Sequence, residues 1–164
     1  MLAAVKLGLD VYRPVGEGGR CDLILSIEDR LLRVQCKWAA RQGDVVLVRC
    51  YSARRSGRGR VVTRRYTTDE VDAFAAYSQD LDRCFFLPPE LWANRRLVQP
   101  RIAPTLNNQV RRIHWADDYD FAARLRAVGA VAQLGERQSG TLEATGSSPV
   151  GSTLEEVSAG RETL

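Results

Sequence analysis

Residues 21–37 read CDLILSIEDRLLRVQCK, and the fold turns on this stretch. Apolar and polar residues alternate on both sides of Asp29-Arg30, the period of a strand, and a tight turn there predicts a β-hairpin. Leu23, Leu25 and Ile27 fall on one face of the first strand; Leu32, Val34 and Cys36 fall on one face of the second. With the turn centred on Asp29-Arg30, Asp22 lies opposite Lys37, Ile24 opposite Gln35 and Ser26 opposite Arg33. The apolar residues then line one face, and Asp22, Arg33, Gln35 and Lys37 share the other. A one-residue slip would mix the two sets, so the register is well specified. A carboxylate, an amide and an ammonium are gathered on one side of a sheet.

That set suits metal-dependent hydrolysis of a phosphodiester. A carboxylate holds a hard cation such as Mg²⁺ through oxygen. The cation polarises the phosphate and lowers the pKa of a bound water, and an adjacent ammonium orients that water or neutralises the developing charge. On spacing alone, a cross-strand Asp–Lys pair on a half-exposed sheet, contributing about 0.2–1 kcal/mol, is the better account.

The flanking residues shift that balance. Val15-Gly16-Glu17-Gly18-Gly19-Arg20-Cys21-Asp22-Leu23, followed by Leu31-Leu32-Arg33-Val34-Gln35-Cys36-Lys37, resembles the PD-(D/E)XK nucleases. Within them it is most similar to the group I intron-encoded homing endonucleases and their bacterial relatives, over residues 7–121. The resemblance implies an α/β, restriction-endonuclease-like mixed β-sheet core flanked by helices. It implies Mg²⁺-dependent hydrolysis of phosphodiester bonds in double-stranded DNA. Asp22 matches the metal-binding Asp and Lys37 the catalytic Lys. Gln35 matches a position usually acidic in the wider superfamily and Gln in this branch, and the backbone carbonyl of Cys36 is implied as a second metal ligand. A homo-oligomer is an admissible state. The alternative is a catalytically inactive nucleic-acid-binding module derived from such a nuclease. Relatives begin with a longer helix bearing a Glu that reaches the active site, and Met1 falls just after its place. The expectation is a start codon placed too late or loss of that group; Glu17, in the loop VGEGGR, is a poor substitute.

The 164 residues, 45% of them hydrophobic, have room for one domain, over 1–128, and a tail over 129–164. No apolar run approaches the ~20 residues of a membrane span and no signal peptide opens the chain, so a cytoplasmic protein without a membrane partner is expected. Cys21, Cys36, Cys50 and Cys84 have no C-x-x-C spacing and read as free thiols rather than zinc ligands or disulfides. Net charge is +4; from residue 130 onward five glutamates face two arginines, so the first 129 residues carry +7.

Much of that charge is concentrated. Val45 to Tyr51 reads as a central strand buried on both faces, and from Val45 through Thr68 there is no acidic residue. Arg54, Arg55, Arg58, Arg60, Arg64 and Arg65 make this the most basic part of the chain, read as a Gly/Ser-containing loop that contacts the DNA phosphate backbone. Tyr51 and Tyr66 flank it, with packing a better account than contact with sugar or base. Asn107, Asn108 and Gln109 are candidate base contacts, though loop capping suits them equally.

The remaining signals are structural. Residues 2–8 read as the end of a helix closed by Gly8. Gly16, Gly18 and Gly19 make a flexible loop with no P-loop G-K-[ST] after it. Asp69 to Gln79 and Arg83 to Leu87 read as a second hairpin. Its Asp80-Leu81-Asp82 turn is better explained by turn chemistry than by a metal site. Pro88 to Trp92 predicts a Pro-started helical turn, and residues 93–113 read as irregular and basic. His114 is read as structural. A helix from Ala116 to Val128 is expected, capped by Asp117 and Asp118.

The tail resembles the translation of a tRNA gene. Residues 130–136, AVAQLGE, correspond to the D-arm, and 145–153, TGSSPVGST, to the T-arm and acceptor end. Gly, Ser and Thr predominate and periodicity is weak, so a disordered extension is expected.

Overall fold

In chain order the elements are α1 (Leu2–Lys6), β1 (Asp10–Tyr12), β2 (Leu23–Ile27), β3 (Arg30–Gln42), β4 (Val45–Arg49), β5 (Tyr51–Arg55), β6 (Val61–Arg65), β7 (Ala73–Ser78), β8 (Arg83–Leu87), α2 (Pro89–Trp92) and β9 (Leu97–Val98). A 3-10 turn at Asp117–Tyr119 leads into a last helix, α3, over residues 121–129. The computed structural model describes residues 1–16, 18–57, 59–105 and 111–129; of the expected 129–164 tail it describes only Gly129, which is helical and ends α3, and residues 130–164, Glu17, Arg58 and the Asn107, Asn108, Gln109 group lie outside it.

The 13-residue strand β3 is the spine of the fold. Its first residues pair antiparallel with β2, Val34 to Trp38 run parallel to β7, and its last residues pair antiparallel with β4. Among the described residues the sheet has seven strands, ordered β1-β2-β3-β4-β9, with β7 beside β3 and β8 beside β7.

The β2–β3 hairpin forms, but it turns at Glu28-Asp29 rather than Asp29-Arg30. Ile27 pairs with Arg30, Leu25 with Leu32 and Leu23 with Val34. Arg33 therefore faces Ile24 instead of Ser26. This two-residue displacement keeps every side chain on its expected face. Alternation cannot separate registers that differ by two; the turn does. Glu28 adopts φ +52°, the left-handed backbone that two-residue hairpin turns use at their first central position.

Both faces of the sheet are covered. Leu23, Leu25, Ile27, Leu32, Val34, Ala73 and Phe86 form one core with Ala4 of α1 and Phe121 and Leu125 of α3. Ala39, Val46, Val48, Phe74, Ala76, Phe85 and Leu87 form the other with Leu91 and Trp92 of α2. The expected α/β mixed sheet flanked by helices is therefore present.

Several boundaries differ from expectation for identifiable reasons. β4 buries Val46 and Val48 on one face, while Val45 and Leu47 are half-buried and Arg49 is exposed. Its outer neighbour is the two-residue β9, too short to read from the irregular stretch that contains it. Burial on both faces belongs instead to β7, which lies between β3 and β8 and hides Ala73, Phe74, Ala76 and Ser78. β7 starts at Ala73, four residues later than expected, because the residues before it form a turn in which the Glu70 and Val71 amides donate to the Thr67 carbonyl. The basic stretch is no loop: β5 and β6 pair as an antiparallel ribbon separate from the main sheet, with Arg54 opposite Val62 and Ser52 opposite Arg64. α3 begins after Asp120, whose carboxylate accepts the Ala123 amide at 3.0 Å. Asp120, not Asp117 or Asp118, is its cap.

The helix-end, turn and packing expectations hold. Gly8 closes α1 at φ +76°. Asp82 closes its turn with its amide on the Gln79 carbonyl at 3.2 Å and accepts the Tyr77 hydroxyl at 2.8 Å, while Asp80 reaches across to accept the Arg41 amide at 3.2 Å. His114 Nδ1 lies 3.0 Å from the Tyr119 hydroxyl, a packing role. All four cysteines are free, and burial pushes the Cys50 and Cys84 thiols up to about 11. No helix among the described residues is long and apolar enough to cross a membrane.

Candidate active site

Asp22 sits one residue before β2, on the face opposite Leu23. Its amide donates to the Val34 carbonyl at 2.9 Å, which continues the hairpin ladder to the site. In the observed register Asp22 stands against Gln35, not Lys37. The carboxylate oxygen Oδ2 accepts the backbone N–H of Cys36 at 2.8 Å and the Gln35 amide N–H. Gln35 Nε2 also lies 3.3 Å from the Cys36 carbonyl oxygen.

Gln35 is 8% exposed, and its Oε1 is buried without a hydrogen-bond partner. An unsatisfied buried acceptor costs about 1–3 kcal/mol. Amide oxygen and nitrogen exchange places on a half-turn of the terminal torsion. After that rotation Oε1 would face the two oxygens that Nε2 now faces, those of Asp22 and Cys36. A carboxylate, an amide oxygen and a peptide carbonyl are the hard oxygen donors that a divalent cation such as Mg²⁺ takes.

Lys37 emerges two residues after Gln35 on the same face. Its ammonium donates to the Tyr66 hydroxyl at 3.1 Å and to the Tyr51 carbonyl at 3.3 Å, and it stands 4.2 Å from the Tyr66 ring centroid. Asp22 acts on it through space rather than through a hydrogen bond. Burial pushes the lysine below its ordinary value, the Asp22 carboxylate opposes this and Arg20 adds to it; the net direction is downward. Acid and ammonium thus share one side of the sheet, as the hairpin pattern requires.

Arg20 links this centre to the ribbon. Its guanidinium donates to Glu70 at 3.1 Å, to the Ser52 hydroxyl at 2.9 Å and to the Arg65 carbonyl at 2.6 Å, and it covers the Tyr66 ring at 3.9 Å. Glu70 also binds Arg64. Burial pushes the Glu70 carboxyl up, but hydrogen bonds from Arg20 and the Thr67 amide outweigh it and hold the carboxyl below its usual range. Sequence reasoning missed Arg20 and Glu70 and took Tyr66 as packing. Arg20 lay in view inside the quoted motif, two residues before Asp22, but nothing local marked its partner 50 residues away.

The ribbon arginines separate into two groups. Arg54 donates to the Gly18 carbonyl at 3.1 Å, Arg64 binds Glu70, and Arg65 reaches the Asn94 carbonyl at 3.5 Å. Arg55 and Arg60 are exposed and hydrogen-bond through their guanidinium groups to nothing among the described residues. Beside the site, a groove of about 720 Å³ runs past Asp22, Cys21 and Cys36 and is bounded by Met1, Arg13, Gly16, Gly18 and Gly19.

Residues 1–122 match the family model for PD-(D/E)XK endonucleases. Among solved structures, a bacterial homing endonuclease aligns with a TM-score of 0.58 and 23% identity, over 84% of this chain and 88% of that one. At that identity the likeness speaks for a shared restriction-endonuclease-like fold. Comparison with curated proteins returned no match.

Proposed function

The chain belongs to the PD-(D/E)XK endonuclease family, and from that premise we propose that it hydrolyses phosphodiester bonds in double-stranded DNA, in the manner of homing or restriction enzymes, with Mg²⁺. One observation carries the reading. The Asp22 carboxylate, the Cys36 carbonyl and the Gln35 amide, whose Oε1 has no partner, meet on the face where Lys37 emerges.

Asp22, the Cys36 carbonyl and, after its half-turn, Gln35 Oε1 would hold the metal. When bound, Mg²⁺ supplies Lewis-acid polarisation of the phosphate and a more acidic water. The protein's own part is positional. The Cys36 N–H fixes the Asp22 carboxylate at 2.8 Å, so the anionic donor is oriented before any ligand arrives. Lys37 offers a fixed positive charge to the attacking water and the developing phosphorane charge. The exposed arginines of the ribbon hold the phosphate backbone alongside.

A second reading, a nucleic-acid-binding module without activity, has one observation in its favour. Among the described residues no three His, Cys, Asp or Glu side chains gather into a group that could hold a metal. Nicking of supercoiled plasmid decides between them. The nuclease nicks with Mg²⁺ and stops with EDTA, and Lys37→Ala abolishes nicking. Equal nicking by Lys37→Ala, or binding that is indifferent to Mg²⁺ and produces no breaks, would overturn the enzymatic reading.

A further inference from the structure

Resting on the nuclease reading, we propose that Tyr66 is a positioning residue for Lys37, and that through it the reacting centre is tied to the root of the β5–β6 ribbon. A lysine ammonium has three N–H donors and turns freely on a flexible stem. Here two of the three are spoken for, by the Tyr66 hydroxyl at 3.1 Å and the Tyr51 carbonyl at 3.3 Å. One donor is left for a phosphate oxygen or a water, and its direction follows from the other two.

Both acceptors belong to the ribbon's root. Tyr51 is the first residue of β5, and Tyr66 follows Arg65, the last residue of β6, which pairs with Tyr51. Tyr66 is itself held rigidly. It is 7% exposed, and its ring meets the edge of Phe74 at 5.3 Å, with Phe74 stacked on Trp92 at 4.5 Å. The Arg20 guanidinium covers the ring at 3.9 Å and is fixed in turn by Glu70, Ser52 and the Arg65 carbonyl. Core packing requires the ring alone. The hydroxyl accepts from the lysine and also meets the Ser52 side chain of the ribbon, contacts that filling space would not need. The strand pair that carries the exposed arginines thus ends on the two atoms that orient Lys37.

Tyr66→Phe keeps the ring and removes the acceptor; Tyr66→Leu removes both. Two measurements on the full chain test the proposal. In Mg²⁺-dependent plasmid nicking, Tyr66→Phe is expected to lose about tenfold in kcat, the scale of one hydrogen bond, with KM unchanged. The second measurement does not depend on activity. Lys6 and Lys37 are the only lysines, so ¹³C-lysine labelling gives two sets of ε-methylene signals. In the wild type the Lys37 signal should lie upfield of Lys6, because the ammonium sits over the Tyr66 ring, and its two ε protons should be distinct. In Tyr66→Phe the upfield position stays and the two protons draw together; in Tyr66→Leu the upfield position is lost as well.

A Tyr66→Phe protein with unchanged kcat and an unchanged lysine spectrum would reduce Tyr66 to packing and overturn the proposal. So would a change in KM alone, which would assign Tyr66 to DNA binding. If the wild type breaks no DNA, the nuclease reading fails while the spectrum still decides the contact: a Lys37 signal coincident with Lys6 would refute it.

Discussion

Arg33 and Asp72 clasp each other across the seam where β7 joins β3. The guanidinium donates to both carboxylate oxygens, at 3.0 and 2.7 Å, and the Arg33 amide donates to Oδ2 at 2.7 Å. The Asp72 amide returns a bond to the Arg33 carbonyl at 2.8 Å. β3 and β7 are parallel, so no tight turn sets their register; this four-bond clasp marks where the pairing begins. Removing its side-chain half costs the fork and leaves the Arg33 guanidinium with only the Asp69 and Thr68 carbonyls. Asp72→Ala is expected to lose about 1–2 kcal/mol after allowance for partial exposure, read as a lower urea midpoint at unchanged m-value.

The same clasp gives stability a pH dependence of known sign. Arg33's hydrogen bond holds the Asp72 carboxyl below its ordinary value, against the opposing effect of burial. A depressed carboxyl stabilises the fold fully above its unfolded pKa of about 4, and that stability is lost as pH falls through the lower folded pKa. Glu70, also held low, adds in the same direction. Wild-type urea midpoints should therefore fall as pH drops below about 4. Asp72→Asn should fall less steeply there and run parallel to the wild type above pH 6.

The two hairpin strands and the site were legible in the sequence because both rest on alternation, a local and strict signal. Leu23, Leu25, Ile27, Leu32 and Val34 are buried on one face, and Asp22, Gln35 and Lys37 lie on the other whichever even register the turn selects. That insensitivity is also why the pairing of Asp22 with Lys37 was read where Asp22 stands against Gln35. What escaped is long-range. The Arg20–Glu70 and Arg33–Asp72 pairs join residues 50 and 39 apart, and no periodicity encodes such partners. Arg, Gly and Ser dominate the basic stretch, which is the composition of a loop. Pairing of Ala53 with Thr63 and of Arg55 with Val61 makes it a ribbon, with β-branched residues on the returning strand.

Phe74 is where the two cohesive features of the domain meet. It is fully buried on the strand that lies between β3 and β8, stacks on Trp92 of α2 and supports the Tyr66 ring. Phe74→Ala is expected to cost about 3–5 kcal/mol, enough to unfold a marginal domain. Phe74→Leu, which refills much of the volume, should cost less. Calorimetry on both separates cavity formation from loss of the aromatic stack.

The division among the ribbon arginines sets the last prediction. Arg64 neutralises Glu70, and Arg54 and Arg65 are spent on backbone carbonyls, so their charge is partly engaged within the protein. Arg55 and Arg60 are exposed with their guanidinium groups unbonded among the described residues, and a phosphate would displace only water from them. Each such contact releases counterions, with a slope of log K against log salt of about −0.9 per phosphate. The double variant Arg55→Ala, Arg60→Ala should flatten that slope by nearly two units while shifting stability by less than about 0.5 kcal/mol. Arg64→Ala should do the reverse: it leaves the half-buried Glu70 with Arg20 and the Thr67 amide, loosens the ribbon's attachment and lowers stability, with a smaller change in salt slope. Fluorescence anisotropy of a labelled duplex across a salt series, paired with thermal melts of each protein, distinguishes the two outcomes. Equal salt slopes for the wild type and the Arg55, Arg60 double variant would remove the ribbon tip from the DNA interface.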